Sequence, residues 1–276
     1  MDVLGKITDR ELSGKVADLL ERLRALPSVL VAFSGGVDSS LLAVMAQLAL
    51  GDRALAVTIV SPLLPQLDFE TSRQIAEQYG LRHTRIEFDP LQCPELLSNP
   101  PNRCYHCKTA IFQALWRKAA DCGVKYVLDG ENADDAMDYR PGRQAAIEQK
   151  IISPLAEAGF SKQDIRAVSN LLAIPIAGRP ASACLASRVP YGTPLAIDML
   201  SRIDRAETLL RAMGFAQVRV RAHGEAARIE LPAADIQQAA RPEVRDAIVR
   251  AIQDTGFRYA ALDLLGYRMG SLNEEL

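Results

Sequence analysis

No apolar run in this sequence approaches the roughly 20 residues that a membrane span requires. The charged N-terminus, MDVLGKITDRELSGKVADLLERLRAL, lacks a signal-peptide pattern and instead fits an amphipathic helix from about Asp9, capped by Thr8. A soluble, cytoplasmic protein is expected. A basic excess is missing too: 32 Lys and Arg stand against 34 Asp and Glu, a net charge of −2, so electrostatics give a nucleic-acid partner no support. Internal repeats, low-complexity tracts and coiled-coil heptads are all absent. The five cysteines, Cys93, Cys104, Cys107, Cys122 and Cys184, are an odd set without an export signal. That argues against a disulfide framework and leaves packing, metal binding or catalysis. With 49% hydrophobic residues, the 276-residue chain can bury a core as one large domain or two modest ones.

What is present begins with VLVAFSGGVDSSLLAVMAQLAL, Val29 to Leu50. The apolar residues Val29 to Phe33 fit a parallel strand covered on both faces, and Leu41, Leu42 and Met45 resume at helical spacing. Between them a Gly-rich turn aims backbone N–H groups and the positive end of a helix dipole at one spot. Gly35 and Gly36 let an anion approach the main chain there. Ser34, Asp38, Ser39 and Ser40 strengthen the reading, because hydroxyls can donate to phosphate oxygens and Asp38 can hold a magnesium ion that neutralises them. No Lys follows the glycines, so this is not a Walker loop, and the spacing is not GxGxxG either.

Ala54–Val60 and His83–Phe88 read as further strands around a helix, Asp68–Tyr79, closed by Gly80. A helix from Cys104 to about Asp121, a strand Lys125–Leu128 and a helix Ser161–Leu172 capped by Ser161 follow. This alternation predicts an α/β fold, a doubly wound parallel sheet with ligands at the C-terminal ends of its strands. Beyond Pro194 the pattern changes to a smaller α+β tail: a helix 196–213, strands in QVRVRAH and ARIELP, one helix 233–253 and a last strand YAALDLL. Two domains are expected, residues 1–194 and 195–276.

The remaining candidates for chemistry are thiols, carboxylates and arginines. Cys104 and Cys107 in NPPNRCYHCK have CxxC spacing at a loop-to-helix junction, which suits one tetrahedral metal, one cluster or a redox dithiol. A second CxxC is absent, so a further ligand must be His106 or a distant residue, and Cys184, between Arg179 and Arg188, is the distant candidate. Asp129 and Gly130 end a strand at the ligand-facing edge, with Glu131, Asn132, Asp134, Asp135 and Arg140 crowding the loop behind them. Arg219 and Arg221 lie two apart and project from one strand face, with Glu230 across the hairpin. His83 and His223 read as isolated structural or surface histidines.

SGGVDS behind an apolar strand resembles the SGGxDS signature of the PP-loop ATP pyrophosphatases, which bind ATP and release pyrophosphate while adenylating a substrate. With NPPNRCYHCK, LDGENADDAMDYRPG, ACLASRVPYGTPL and VRVRAHGEAARIELP in that order behind it, the chain from about Ser28 to Tyr267 resembles the LarE family of ATP-dependent sulfur transferases. The resemblance implies thiolation of pyridinium-3,5-biscarboxylic acid mononucleotide in the biosynthesis of the nickel-pincer nucleotide cofactor of lactate racemase. It implies ATP, Mg2+ and sulfide or another sulfur donor, pathway enzymes as partners, and a hexameric homo-oligomer. Some members of the family sacrifice a cysteine sulfur; others use three cysteines to hold a [4Fe-4S] cluster, and Cys104, Cys107 and Cys184 match the latter. By the same resemblance Ser34, Gly35, Gly36, Asp38, Ser39, Ser40, Asp129, Gly130, Asn132, Asp134 and Arg140 serve the nucleotide or adenylate. Arg219 and Arg221 match an arginine pair that binds the substrate phosphate, Glu207 matches a substrate-site glutamate upstream of it, and Arg188 is a further substrate-binding candidate. The alternatives are a cluster-dependent tRNA-thiolating enzyme, which would call for a basic face or an RNA-binding module, and a non-catalytic nucleotide-binding zinc protein.

Overall fold

The computed structural model describes residues 5, 7–137, 141–178 and 183–268; Arg140 and Arg179 lie outside them. In chain order the elements are α1 (Arg10–Arg24), β1 (Val29–Ala32), α2 (Val37–Leu50), β2 (Ala54–Val60), α3 (Gln66–Tyr79) and β3 (His83–Glu87). Then come α4 (Pro94–Leu97), α5 (Arg103–Asp121), β4 (Tyr126–Leu128), α6 (Pro141–Glu148), α7 (Pro154–Glu157) and α8 (Lys162–Leu171). The chain ends with α9 (Ile197–Ala212), β5 (Arg219–His223), β6 (Ala226–Glu230), α10 (Ala233–Ala239), α11 (Pro242–Asp254) and β7 (Tyr259–Leu262). No helix among the described residues is long and apolar enough to cross a membrane.

The chain divides into two compact units: residues 1–61, 66–89 and 102–182 form one, and residues 62–65, 90–101 and 183–276 the other. In the first, a parallel sheet runs in the order β3-β2-β1-β4. Its inner strands β1 and β2 are short apolar runs, and α2 is apolar almost all round, as a helix enclosed by protein must be. Leu12, Val16, Leu19 and Leu23 of α1 recur at helical spacing and pack in the same core as β1, α2 and α8. The helix is capped by Asp9, not Thr8: Asp9 Oδ1 accepts from the N–H groups of Glu11 and Leu12 at 2.8 and 3.0 Å, which lie two and three residues ahead of it. The expected capping of α8 by Ser161 is present as a full capping box with Asp164.

Strand order makes the site. From β1 the chain steps outward to β2 and β3, then returns to the opposite flank of β1 as β4. The β1 and β4 exits therefore face the crevice where strand order reverses, the place where open α/β sheets bind ligands.

In the second unit β5 and β6 form an antiparallel hairpin, and β7 joins β6 in parallel. The segments 62–65 and 90–101 belong here through backbone bonds such as Leu185 N–H to Leu63 O at 2.7 Å and Leu195 N–H to Leu97 O at 3.0 Å. The single helix expected over 233–253 is two helices. Pro242 starts the second, and Arg241 before it is extended, with φ −61° and ψ 138°, because a residue preceding proline is pushed out of the helical region.

Candidate active site

The loop leaving β1 is held by its own serines. Ser39 Oγ accepts from Ser34 N–H at 3.2 Å and donates to Gly36 O at 3.2 Å, and Ser34 Oγ lies 3.0 Å from Ser39 Oγ while accepting from Gly36 N–H at 3.3 Å. Gly36 caps α2 without any side-chain bond, which leaves the leading N–H groups of the helix open to a ligand's oxygens. Gly35 has φ +76°, and a Cβ there would stand 2.3 Å from Asp68 O. Gly130, just past β4, packs so closely on the first turn of α2 that a Cβ would stand 2.8 Å from Ser39 N. The SGGVDS loop and the Asp129–Asp135 loop are thus neighbours, as their shared edge requires. Ser40 behaves otherwise: it is fully buried, and its Oγ has no partner among the described residues.

Asp38 is the charged centre. One carboxylate oxygen takes the Lys162 ammonium, while Oδ1 is buried with no hydrogen-bond partner among the described residues. Burial pushes the Asp38 carboxyl up from its ordinary value despite the opposing Lys162 ammonium. A buried carboxylate oxygen without a donor is the chemistry a magnesium ion satisfies, so Asp38 fits the expected metal. Lys162 is absent from the sequence-based candidates. It opens α8 immediately behind the Ser161 cap, and its backbone N–H also donates to Asp134 Oδ2 at 2.7 Å. A lysine in the first turn of a helix, where the dipole disfavours a cation, is the signal that could have found it.

The acidic loop is largely self-organised. Asp129 Oδ1 accepts from Ser153 Oγ at 2.7 Å and from Glu131 N–H at 3.2 Å, and Asn132 Oδ1 accepts from the N–H groups of Asp134 and Asp135 at 3.0 and 3.3 Å. Glu131 pairs with Arg143 at 3.1 Å, and burial, with the Asp129 charge, raises its carboxyl above the ordinary value.

Cys104 and Cys107 lie three apart in the first turn of α5 and so share a face; Cys104 is exposed and Cys107 half-buried. His106 is engaged by Asn102, with Nδ2 and Nε2 3.0 Å apart. Cys184, in the second unit, precedes a 3-10 turn over Leu185–Arg188 and is half-buried. None of the five cysteines is in a disulfide, so the three candidate thiols fit an iron–sulfur cluster in donor chemistry. Among the described residues no three His, Cys, Asp or Glu side chains are gathered as a ready metal cage.

The arginines expected at the substrate lie in a buried charge cluster of the second unit. Arg188 and Glu207 have no exposed surface and pair bidentately, Nε to Oε1 at 2.8 Å and Nη2 to Oε2 at 3.0 Å. Glu207 also accepts from Arg211 at 2.6 Å and from Val220 N–H at 3.1 Å. Burial alone would raise its carboxyl; the Arg188 hydrogen bonds and charge, with Arg211 and Arg219, hold it below the ordinary value instead. Arg221 grips Glu230 at 2.5 and 3.0 Å, and the Arg219 guanidinium lies 5.5 Å from the Tyr267 ring centre. Burial and the neighbouring Arg188 charge lower the pKa of Arg219. Arg228 also meets Glu230 at 3.2 Å and Asp263 at 3.7 Å, and Arg211 Nη1 is buried without a partner among the described residues.

A family model for asparagine synthase matches residues 15–246. The chain is 43% identical to an uncharacterized protein of Synechocystis over 96% of this chain and 99% of that one. It is 40% identical to the pyridinium-3,5-bisthiocarboxylic acid mononucleotide synthase of Lactiplantibacillus plantarum over 96% of each. It is 24% identical to a glutamine-hydrolyzing GMP synthase component of Thermoplasma acidophilum over 64% of this chain and 62% of that one. An SGGVDS loop at the switch point of a parallel sheet and near full-length similarity to a named mononucleotide synthase agree. The chain belongs to the PP-loop proteins of the asparagine synthase type and, within them, to the LarE family of ATP-dependent sulfur transferases.

Proposed function

We propose that this protein adenylates a carboxylate of a pyridinium mononucleotide with ATP and replaces the adenylate by sulfur, giving a thiocarboxylate for nickel-pincer nucleotide biosynthesis. The observation that carries the reading is the uncapped N-terminus of α2 beside Gly130, an anion site built from main-chain N–H groups at the sheet's switch point. The substrate class follows the name of the L. plantarum relative. The buried Arg211 Nη1, without a partner among the described residues, supports a phosphorylated substrate. Cysteines outside any disulfide suit a reducing cytoplasm.

A carboxylate is a poor electrophile, so its oxygen first attacks the α-phosphorus of ATP and pyrophosphate leaves. A sulfur nucleophile then adds to the acyl carbon, and AMP departs with the original oxygen. The α2 N–H groups and the Ser34 and Ser39 hydroxyls hold the phosphates, and Lys162 offsets charge beside them. Magnesium bound at Asp38 would neutralise the departing pyrophosphate. Cys104, Cys107 and Cys184 would hold a [4Fe-4S] cluster, whose fourth iron, lacking a cysteine, can carry the sulfide to be transferred.

The test is a parallel assay of pyrophosphate, AMP and thiocarboxylate on protein purified without oxygen, with iron, sulfide and zinc content measured beside a Cys104→Ala variant. We expect pyrophosphate release that depends on the pyridinium substrate, and about four irons per chain that the variant loses. Pyrophosphate release indifferent to that substrate would sink the proposal. Iron-free protein whose Cys184 becomes dehydroalanine on turnover would move the sulfur source to Cys184 itself.

A further inference from the structure

The buried arginine pairs of the second unit do more than store positive charge: they grip the backbone of the turn that carries Cys184. Arg188 Nη1 donates to Ala183 O at 2.6 Å, to Cys184 O at 2.9 Å and to Ser187 Oγ at 3.0 Å. Ser187 Oγ in turn donates to Cys184 O at 2.8 Å, and Ser187 N–H donates to the same oxygen at 3.0 Å. The Cys184 carbonyl thus receives three donors on an oxygen with two lone pairs, one of those donors cationic. At the other end of the turn, Arg221 Nη1 donates to Ser187 O at 2.7 Å. Neither guanidinium can drift, because Glu207 fixes Arg188 and Glu230 fixes Arg221, each through two hydrogen bonds. The start of the turn is tied as well, by Leu185 N–H to Leu63 O at 2.7 Å.

We propose that Ser187 and Arg188 are positioning residues: with Arg221, and anchored by Glu207 and Glu230, they clamp the Cys184 turn at both ends and fix where its sulfur is presented. Arg188 and Glu207 have no exposed surface to offer a ligand, yet the fold places a full bidentate ion pair directly behind the Cys184 turn. A buried pair of that kind is costly to assemble, and a pair needed for packing alone could be replaced by apolar residues of the same volume. Its third nitrogen turned onto the Cys184 carbonyl is what apolar residues could not supply. The consequence for sulfur transfer rests on the function proposed above; the clamp itself does not.

Ser187→Ala removes one of the three donors and one acceptor of Arg188 Nη1 while leaving the contacts of Arg188 with Glu207 and of Arg221 with Glu230 in place, and Ser187→Thr restores the hydroxyl. Hydrogen exchange of peptides covering 184–189 should quicken about 2- to 10-fold in Ser187→Ala, the factor for one lost hydrogen bond, and return toward the wild-type rate in Ser187→Thr. Peptides from β5 and β6 should keep their rates. Thiocarboxylate formation should fall about tenfold or more in Ser187→Ala while pyrophosphate release stays within about twofold, a split that general loosening would not produce. Unchanged exchange at 184–189, or equal quickening across the whole second unit, overturns the clamp. If the wild type makes no thiocarboxylate the proposed function fails, and hydrogen exchange still decides the clamp.

Discussion

A methyl group on Gly35 would stand 2.3 Å from Asp68 O, at a backbone φ of +76° that side chains avoid, so the approach of the loop to α3 is available to glycine alone. Gly35→Ala is expected to cost ATP about tenfold or more in affinity by calorimetric titration, since strain of about 1–3 kcal/mol falls on the phosphate loop itself. Wild-type affinity would remove the loop from the nucleotide site. Lys162→Met strips the partly buried Asp38 of its counter-ion. Urea denaturation should show a loss of about 1–2 kcal/mol, between the values for exposed and buried pairs, together with weaker ATP binding. Glu207→Gln leaves Arg188 buried beside a neutral amide, and about 3–5 kcal/mol of stability should go with it. The sequence marked Glu207 and Arg188 through family resemblance, but nothing in the local pattern says that they pair. Their separation of 19 residues is bridged only by the packing of α9 against the Cys184 turn.

At the scale of elements, the strands and long helices were legible because their apolar spacing is regular. Val29–Ala32 and Ala54–Val60 are apolar runs between turn signals, His83–Glu87 is a mixed polar strand at the sheet edge, and Ser161 with Asp164 is a capping signature that the structure realises. Ser161→Ala should cost about 1 kcal/mol in the same denaturation measurement, and a loss below a few tenths would show that the Lys15–Asp164 contact alone holds the end of α8. The four-residue helices α4 and α7 escaped the reading, because one helical turn presents no periodicity to detect. Pro242 was a visible breaker inside the 233–253 pattern, and the helical spacing on either side of it masked the break.

For the whole molecule, acid should be the destabilising direction. Burial holds the His83 imidazole below its ordinary value, with Thr58 Oγ1 at 2.9 Å from Nε2. The unfolded chain therefore takes up that proton first, and the stability it represents is full above about pH 6.5 and is lost as the pH falls toward the folded value. Asp164 and Glu207 extend the trend lower. Burial would raise both carboxyls, but Lys15 and Ser161 around the one and Arg188 around the other hold them below ordinary values, so their contribution disappears as the pH falls through the depressed range. Asp38 and Glu131, raised by burial, oppose this within the carboxylate range. The urea midpoint should decline from near neutral pH downward, and His83→Gln should flatten the upper part of that decline; an unchanged slope would remove His83 from the account. The sequence by itself determined the α/β class, the SGGVDS turn between strand and helix and the cysteine spacing, because each depends on residues within a few positions of one another. The tertiary structure alone decided that β4 lies beside β1, that Lys162 meets Asp38, that residues 62–65 and 90–101 pack with the second unit, and that two buried ion pairs grip the turn of Cys184. Those contacts join residues far apart in the chain, and burial sets their strength, which no local pattern encodes.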